Sequence, residues 1–192
     1  MFLSKNISSF LILLISTLFL FSSCEKKDPE PINEQELITT VTYTLTATGK
    51  PTVVLSFKDL DGDGGNAPVL VGGTLAPNTV YSGSLNLLNE LKSPAENITK
   101  EIEEENKEHQ FFFSATVGSN GGLNVSVAYD DTDGTNPVGL KTKVTTGAAS
   151  QGKLRVTLLH GPNKSAAGVS DGNSANAGGE TDIEVEFDVT IE

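Results

Sequence analysis

Strict alternation of apolar and polar side chains near the end of the chain constrains the fold more than any other feature. From residue 182 to residue 191, every second residue is apolar, and most of the residues between them are acidic. Successive side chains of a β-strand point to opposite faces, so this period of two predicts a strand with one buried face. We therefore expect the apolar set to point inward and the acidic set to point to solvent. The acidic set is Asp182, Glu184, Glu186 and Asp188.

The same alternation recurs through the chain and predicts an all-β domain. The predicted strands are residues 41–48, 52–58, 69–75, 80–88, 110–117, 123–129, 138–145, 153–160 and 182–191. Turn-forming Gly, Asn and Asp residues separate them. About eight or nine short strands predict an antiparallel β-sandwich or an up-and-down β-barrel. Residues 94–107 depart from the pattern and predict one short helix capped by Ser93, with Ile98 and Ile102 on its apolar face.

The N-terminus predicts a lipoprotein signal peptide at residues 1–23. Lys5 precedes a twelve-residue apolar run at residues 10–21, which is too short to span a bilayer as a helix. Two serines and Cys24 follow this run, and they resemble a bacterial lipobox. We expect cleavage before Cys24 and acylation of its thiol, although an ordinary secretory signal with an incidental cysteine is the alternative. Residues 24–37 then form a charged, proline-containing tether, and residues 38–192 form a single β domain.

Composition excludes several classes of function. The chain has 25 acidic residues against 13 basic ones, a net charge of −12, which argues against nucleic acid as a partner. Its single cysteine excludes an internal disulfide and a cysteine-based zinc site. Residues 168–172 match the G-x-S-x-G nucleophile motif but lack the strand and helix that this motif requires on either side. No other nucleophile-and-base arrangement is visible, so we predict that the protein is not an enzyme.

Two acidic segments repeat one pattern, at residues 53–69 and 123–138. Each segment has a strand, then Asp-x-Asp-Gly-x-Asn, then Pro-Val at the start of the next strand. The repetition predicts a duplicated hairpin and a pseudo-symmetric sheet. Alternate carboxylates on a tight turn can bind calcium, and the alternative is that they serve only the turns. The candidate calcium ligands are Asp59, Asp61 and Asp63 in the first copy, and Asp131 and Asp133 in the second.

The chain has two histidines, His109 and His160. His160 shares parity with the apolar residues of its predicted strand, so its side chain should point inward. His109 lies where the predicted helix meets the next strand, beside Glu108. The two imidazoles can converge on a transition metal or on haem iron, with Glu108 or Glu105 completing a set of three ligands. The alternative is that each histidine makes only local hydrogen bonds.

Four segments of the chain are similar to a known group of lipoproteins. The segments are residues 61–66, 101–112, 158–164 and 177–183. Together they resemble small Gram-negative lipoproteins that carry the name "type 1 periplasmic binding fold superfamily protein". That name implies an α/β binding protein with two lobes, whereas the strand pattern here predicts an all-β domain. A looser resemblance, to all-β haem-capturing lipoproteins that serve TonB-dependent receptors, implies His109 and His160 as haem ligands.

These observations predict a lipoprotein of the outer membrane, on its periplasmic or cell-surface face. Its lipid anchor would be its contact with the membrane, and an outer-membrane receptor is a candidate partner. We expect a non-enzymatic binding or accessory module whose ligand the sequence does not name. One alternative is capture of a metal or haem through His109 and His160 on behalf of a TonB-dependent receptor. Another is a structural envelope protein that has no ligand.

Overall fold

The computed structural model describes residues 36–62, 64–116 and 122–192. Cys24, the signal peptide, nearly all of the predicted tether and Asp63 lie outside the described residues. The strands are β1 (Thr40–Thr46), β2 (Val53–Lys58), β3 (Val69–Val71), β4 (Gly73–Leu75), β5 (Val80–Leu88), β6 (His109–Thr116), β7 (Val125–Tyr129), β8 (Lys141–Thr146), β9 (Ser150–His160) and β10 (Glu180–Ile191). Helix α1 (Ile98–Glu104) joins β5 to β6, and a 3-10 turn (Ser174–Asn176) lies between β9 and β10.

The strands form two sheets that share one hydrophobic core. One sheet has the order β3-β2-β1-β5-β8-β7, and the other has the order β4-β10-β9-β6. Both sheets contribute buried side chains to the core, for example Tyr43 and Leu87 from the first and Phe111 and Phe187 from the second. Within the described residues, each sheet ends in two strands that pair with one neighbouring strand only, β3 and β7 in the first sheet and β4 and β6 in the second. The predicted all-β fold is therefore confirmed as a sandwich and not as a closed barrel.

The predicted strand at residues 69–75 is wrong, because the chain changes sheets in the middle of it. Strand β3 pairs antiparallel with β2, whereas β4 pairs parallel with β10. The crossing occurs at Gly72, where a Cβ atom would collide with the carbonyl oxygen of Asp188. Only glycine allows the two backbones to approach this closely.

Helix α1 is shorter than predicted and begins at a different cap. The Oδ1 atom of Asn97 accepts a hydrogen bond from the main-chain N–H of Lys100 at 3.2 Å, so Asn97 and not Ser93 is the N-cap. The predicted apolar face is confirmed, since Ile98 and Ile102 are both buried. Among the described residues, no helix has the length and apolar character needed to cross a membrane.

The two repeated segments form hairpins at opposite edges of the six-stranded sheet. The first is β2 and β3, and the second is β7 and β8, each pair antiparallel. In the first hairpin the earlier strand, β2, pairs with the rest of the sheet. In the second hairpin the later strand, β8, does so. The hairpins recur as predicted, but the repeated strands do not occupy symmetry-related positions in the sheet.

Candidate metal centre

Strands β6 and β9 place the two histidines side by side. His109 and His160 are direct cross-strand partners, so their side chains share one face of the sheet. Their ring centroids are 4.5 Å apart, with the ring planes inclined by 60°. The side chain of His109 is 0% exposed and that of His160 is 13% exposed. The two histidines singled out from the sequence therefore meet at one buried position.

Asp182 joins the histidines from β10, the other neighbour of β9. The prediction that it faces solvent is wrong, because its side chain is only 1% exposed. The register of β10 against β9 shifts between Thr181 and Ile183, which marks a β-bulge at Asp182. A bulge adds one residue to a strand and redirects its side chain. After the bulge, Glu184 and Asp188 are exposed as predicted.

The polar atoms that meet here lack hydrogen-bond partners. His109 Nε2, His160 Nδ1 and both carboxylate oxygens of Asp182 are buried and unpaired. His109 Nε2 lies 3.7 Å from Asp182 Oδ2. One ligand atom from each of the three residues lies within 4.8 Å of the other two. Buried polar atoms are nearly always paired, so four unpaired atoms at one position mark it as a candidate functional site.

The other nitrogen of each imidazole faces an oxygen atom. His109 Nδ1 lies 3.1 Å from the carbonyl oxygen of Glu105, the residue that caps the C-terminus of α1. His160 Nε2 lies 3.7 Å from Glu108 Oε2. Histidines that bind metals usually direct their second N–H at a carbonyl or a carboxylate, which leaves the opposite nitrogen as the ligand. The carbonyl oxygen of Glu105 meets this requirement for His109, whereas Glu108, predicted from the sequence as a possible ligand, is 65% exposed and lies beyond hydrogen-bond distance of His160.

Burial dominates the electrostatics of the centre. It raises the pKa of Asp182 to about 6, although the charge of His160 acts in the opposite direction. The main-chain N–H of Glu36 also favours the Asp182 carboxylate, but from outside hydrogen-bond geometry. Burial lowers the pKa of His109, against the effect of its hydrogen bond to Glu105. A neutral imidazole keeps a lone pair available for a metal ion at neutral pH.

A second group of carboxylates adjoins His109. One carboxylate oxygen each from Glu36 and Glu105 and one ring nitrogen of His109 lie within 4.8 Å of one another. Burial and a hydrogen bond to Glu101 raise the pKa of Glu36 to about 7. Glu36 and Asp182 both line one open cleft, which also includes Asp59 and Asp61. The centre therefore adjoins an acidic cleft.

The first acidic loop is held by its own side chains. Asp59 Oδ1 accepts hydrogen bonds from the main-chain N–H groups of Asp61 and Gly62 at 3.1 and 2.8 Å. Asp61 Oδ2 accepts from the main-chain N–H and the side-chain amide of Asn66 at 2.9 and 2.7 Å. These contacts are typical of a turn. They leave the calcium hypothesis for this loop a prediction.

The second acidic loop contains a cation that belongs to the chain. Lys164 Nζ lies 3.1 Å from Asp133 Oδ2 and also donates to the carbonyl oxygens of Asn106 and Pro137. The side chains of Lys164 and Asp133 are 4% and 5% exposed. Asp131 accepts hydrogen bonds from the main-chain N–H groups of Gly139 and Lys141. The carboxylates of Asp131 and Asp133, for which calcium binding is predicted, are therefore already hydrogen-bonded within the chain.

Substitutions at two adjacent glycines test how closely the loop before β10 packs against the end of β9. Gly178 and Gly179 both have positive φ, +60° and +78°, but only at Gly179 would a Cβ atom collide with the carbonyl oxygen of His160. We expect Gly178→Ala to cost about 1 kcal/mol through backbone strain alone. Gly179→Ala should cost roughly 1–3 kcal/mol more, because the backbone of His160 must also move. Urea denaturation of both variants measures the difference, and equal costs would contradict the close packing.

Comparisons of the chain with protein-family models, curated proteins and solved structures find no match. The resemblance to small Gram-negative lipoproteins therefore stays a prediction. The function has to be argued from the geometry of the site. Sequence reasoning found both histidines but missed Asp182 and Glu36. The paired glycines before β10 were the available signal for an irregular strand start, but they did not locate the bulge.

Proposed function

We propose that this chain is a lipid-anchored, non-enzymatic protein of the outer membrane that binds a divalent transition metal ion through His109, His160 and Asp182. The observation that carries the proposal is the convergence of buried, unpaired acceptor atoms from three adjacent strands. One cation among them would satisfy these atoms together, whereas a metal-free site leaves lone pairs facing one another. The lipid anchor at Cys24 is part of the proposal because the N-terminal sequence resembles a lipoprotein signal peptide.

The donor set favours a first-row transition metal over calcium. Imidazole nitrogens suit zinc, copper, nickel and iron, whereas calcium takes oxygen ligands almost exclusively. The separation of 3.7 Å between His109 Nε2 and Asp182 Oδ2 is close to what two ligands of one ion require, since each lies roughly 2.0–2.2 Å from zinc. The two-histidine, one-carboxylate set therefore fits an ion such as zinc.

A bare ion fits this position better than haem. Two histidines that ligate one haem iron bind on opposite faces of the porphyrin, so the porphyrin lies between the two imidazole rings. Here the histidines are direct partners on adjacent strands, and the side chain of His109 is fully buried. We therefore propose metal capture, and not haem capture, as the use of these residues.

The acidic side chains around the site favour capture of a cation from the solution outside the cytoplasmic membrane. Asp59 and Asp61 line the same cleft as Asp182, so the predicted calcium loop adds negative charge at the entrance. A cleft lined by one sign of charge raises the local concentration of the opposite ion. A receptor in the outer membrane remains the proposed recipient of the ion.

Metal content tests the proposal directly. The full chain, purified in detergent without chelators, should contain about one equivalent of a transition metal or take up one equivalent of added zinc. Loss of a group that hydrogen-bonds to a metal ligand typically costs about 10–100-fold in metal affinity. Loss of a ligand itself, as in His160→Gln, should therefore cost at least as much. Asp188→Asn, on the same strand as Asp182 but 83% exposed, serves as the control and should bind zinc normally.

Two results would contradict metal capture. One is a well-folded chain that takes up no transition metal ion, which would favour the structural envelope protein without a ligand. The other is zinc uptake that His160→Gln leaves unchanged, which would place the ion elsewhere on the chain. Circular dichroism of each variant separates loss of the site from loss of the fold.

A further inference from the structure

Glu36 is the first residue that the structure describes, and it lies beside the proposed metal site. Its main-chain N–H is close to the carboxylate of Asp182. One of its carboxylate oxygens lies within 4.8 Å of a ring nitrogen of His109 and of an oxygen of Glu105. Glu36 therefore approaches the ligands through its backbone and through its side chain.

The charges around Glu36 create a demand for a cation. Its carboxyl group lies close to that of Glu105, and Glu101 and Asp182 add further negative charge nearby. Carboxyl groups at such distances repel one another unless a proton or a metal ion lies between them. His109, whose Nε2 is buried and unpaired, belongs both to this acidic group and to the proposed metal site.

The three strand residues leave room for a further ligand. Two histidines and one aspartate supply three donor atoms, whereas zinc normally takes four. The side chain of Glu36 has three rotatable bonds, and it is only partly buried. Its carboxylate lies within 4.8 Å of a ring nitrogen of His109, and rotation about these bonds can move it toward the roughly 3–4 Å expected between ligands of one ion.

We propose that Glu36 closes the site as a further carboxylate ligand of the bound ion. This inference rests on the proposed function, since it assigns one more residue to the same site. Glu36 falls within the stretch predicted as the tether, residues 24–37. Metal binding through Glu36 would hold this entering segment against the ends of β6, β9 and β10.

Two matched variants test this role on the full chain, with zinc as the probe. Glu36→Gln should weaken zinc binding about 10-fold or more, because a neutral amide is a poor substitute for a charged ligand. Glu36→Asp keeps the charge but shortens the side chain, and it should weaken binding similarly. Glu103→Gln removes an exposed carboxylate from α1 and should leave the affinity unchanged.

Hydrogen exchange gives a second readout that affinity alone does not provide. Zinc should slow amide exchange in residues 36–39 of the wild-type chain but not of Glu36→Gln. Unchanged affinity in Glu36→Gln, with His160→Gln still defective, would overturn the role of Glu36 and leave the metal site standing. Slower exchange in both chains would also overturn it. Failure of the wild-type chain to bind zinc would overturn both proposals.

Discussion

Replacing Asp182 with asparagine should stabilise the metal-free protein and abolish its stabilisation by zinc. The wild-type carboxylate is buried and has no hydrogen-bond partner, so its charge is costly in the absence of a cation. Burial raises its pKa from 3.8 to about 6, which corresponds to roughly 2–3 kcal/mol at neutral pH. Asparagine has nearly the same shape and carries no charge. A residue that destabilises the fold while serving a ligand is typical of a functional site.

The pH dependence of this effect has a defined sign. A carboxyl group whose pKa is raised by folding contributes stability below its unfolded value of 3.8 and loses it as the pH rises through about 6. The advantage of Asp182→Asn over the wild type should therefore grow between pH 4 and pH 6 and then level off. Thermal melting with EDTA across this range measures it, and Asp188→Asn should show no such trend. A variant less stable than the wild type at pH 7 would contradict an unpaired charge at Asp182.

Replacing Lys164 with methionine should destabilise the fold more than any other single change proposed. The ammonium group is buried against Asp133 and two carbonyl oxygens. Its removal leaves the buried carboxylate of Asp133 without its counter-ion, held among the described residues only by the main-chain N–H groups of Thr135 and Asn136. Breaking a buried ion pair from one side costs about 3–5 kcal/mol. The methionine side chain matches much of the apolar stem of lysine, so the loss measures the charge more than the volume.

Lys153→Met provides the matched control for Lys164→Met. Lys153 pairs with Asp188 at 3.0 Å, but its side chain is 46% exposed. Exposed ion pairs contribute about 0–1 kcal/mol, so this variant should remain close to the wild type. Urea denaturation compares the two variants on the same scale. Similar losses in both would show that burial of Lys164 contributes little.

The fold class was predictable because alternation survives in nearly every strand. The burial pattern of β5 alternates through all but the last of its nine residues, and β8 alternates throughout. Alternation does not reveal which sheet a strand joins, since partners are distant in the sequence. The switch at Gly72 depends on contact with Asp188, more than 100 residues away. The choice between sandwich and barrel depended on such contacts as well.

The candidate site was predictable only in part, for a similar reason. His160 followed the parity of its strand, and His109 is its direct partner across β6 and β9. Asp182 violated parity because a bulge interrupts β10, and a period-two pattern cannot register an inserted residue. Lys164 comes from a loop rich in small residues, so its contact with Asp133 left no trace in local sequence. The sequence therefore did not reveal residues whose positions depend on a bulge or on a tertiary contact.

The position of a bound ion tests the central claim most directly. Crystals of the chain grown with one equivalent of zinc can be measured on both sides of the zinc absorption edge. We predict one anomalous peak roughly 2.0–2.2 Å from His109 Nε2, His160 Nδ1 and an oxygen of Asp182. A zinc-saturated chain whose peak lies in the loop of Asp59 and Asp61, or anywhere away from the two histidines, would contradict the proposed metal centre.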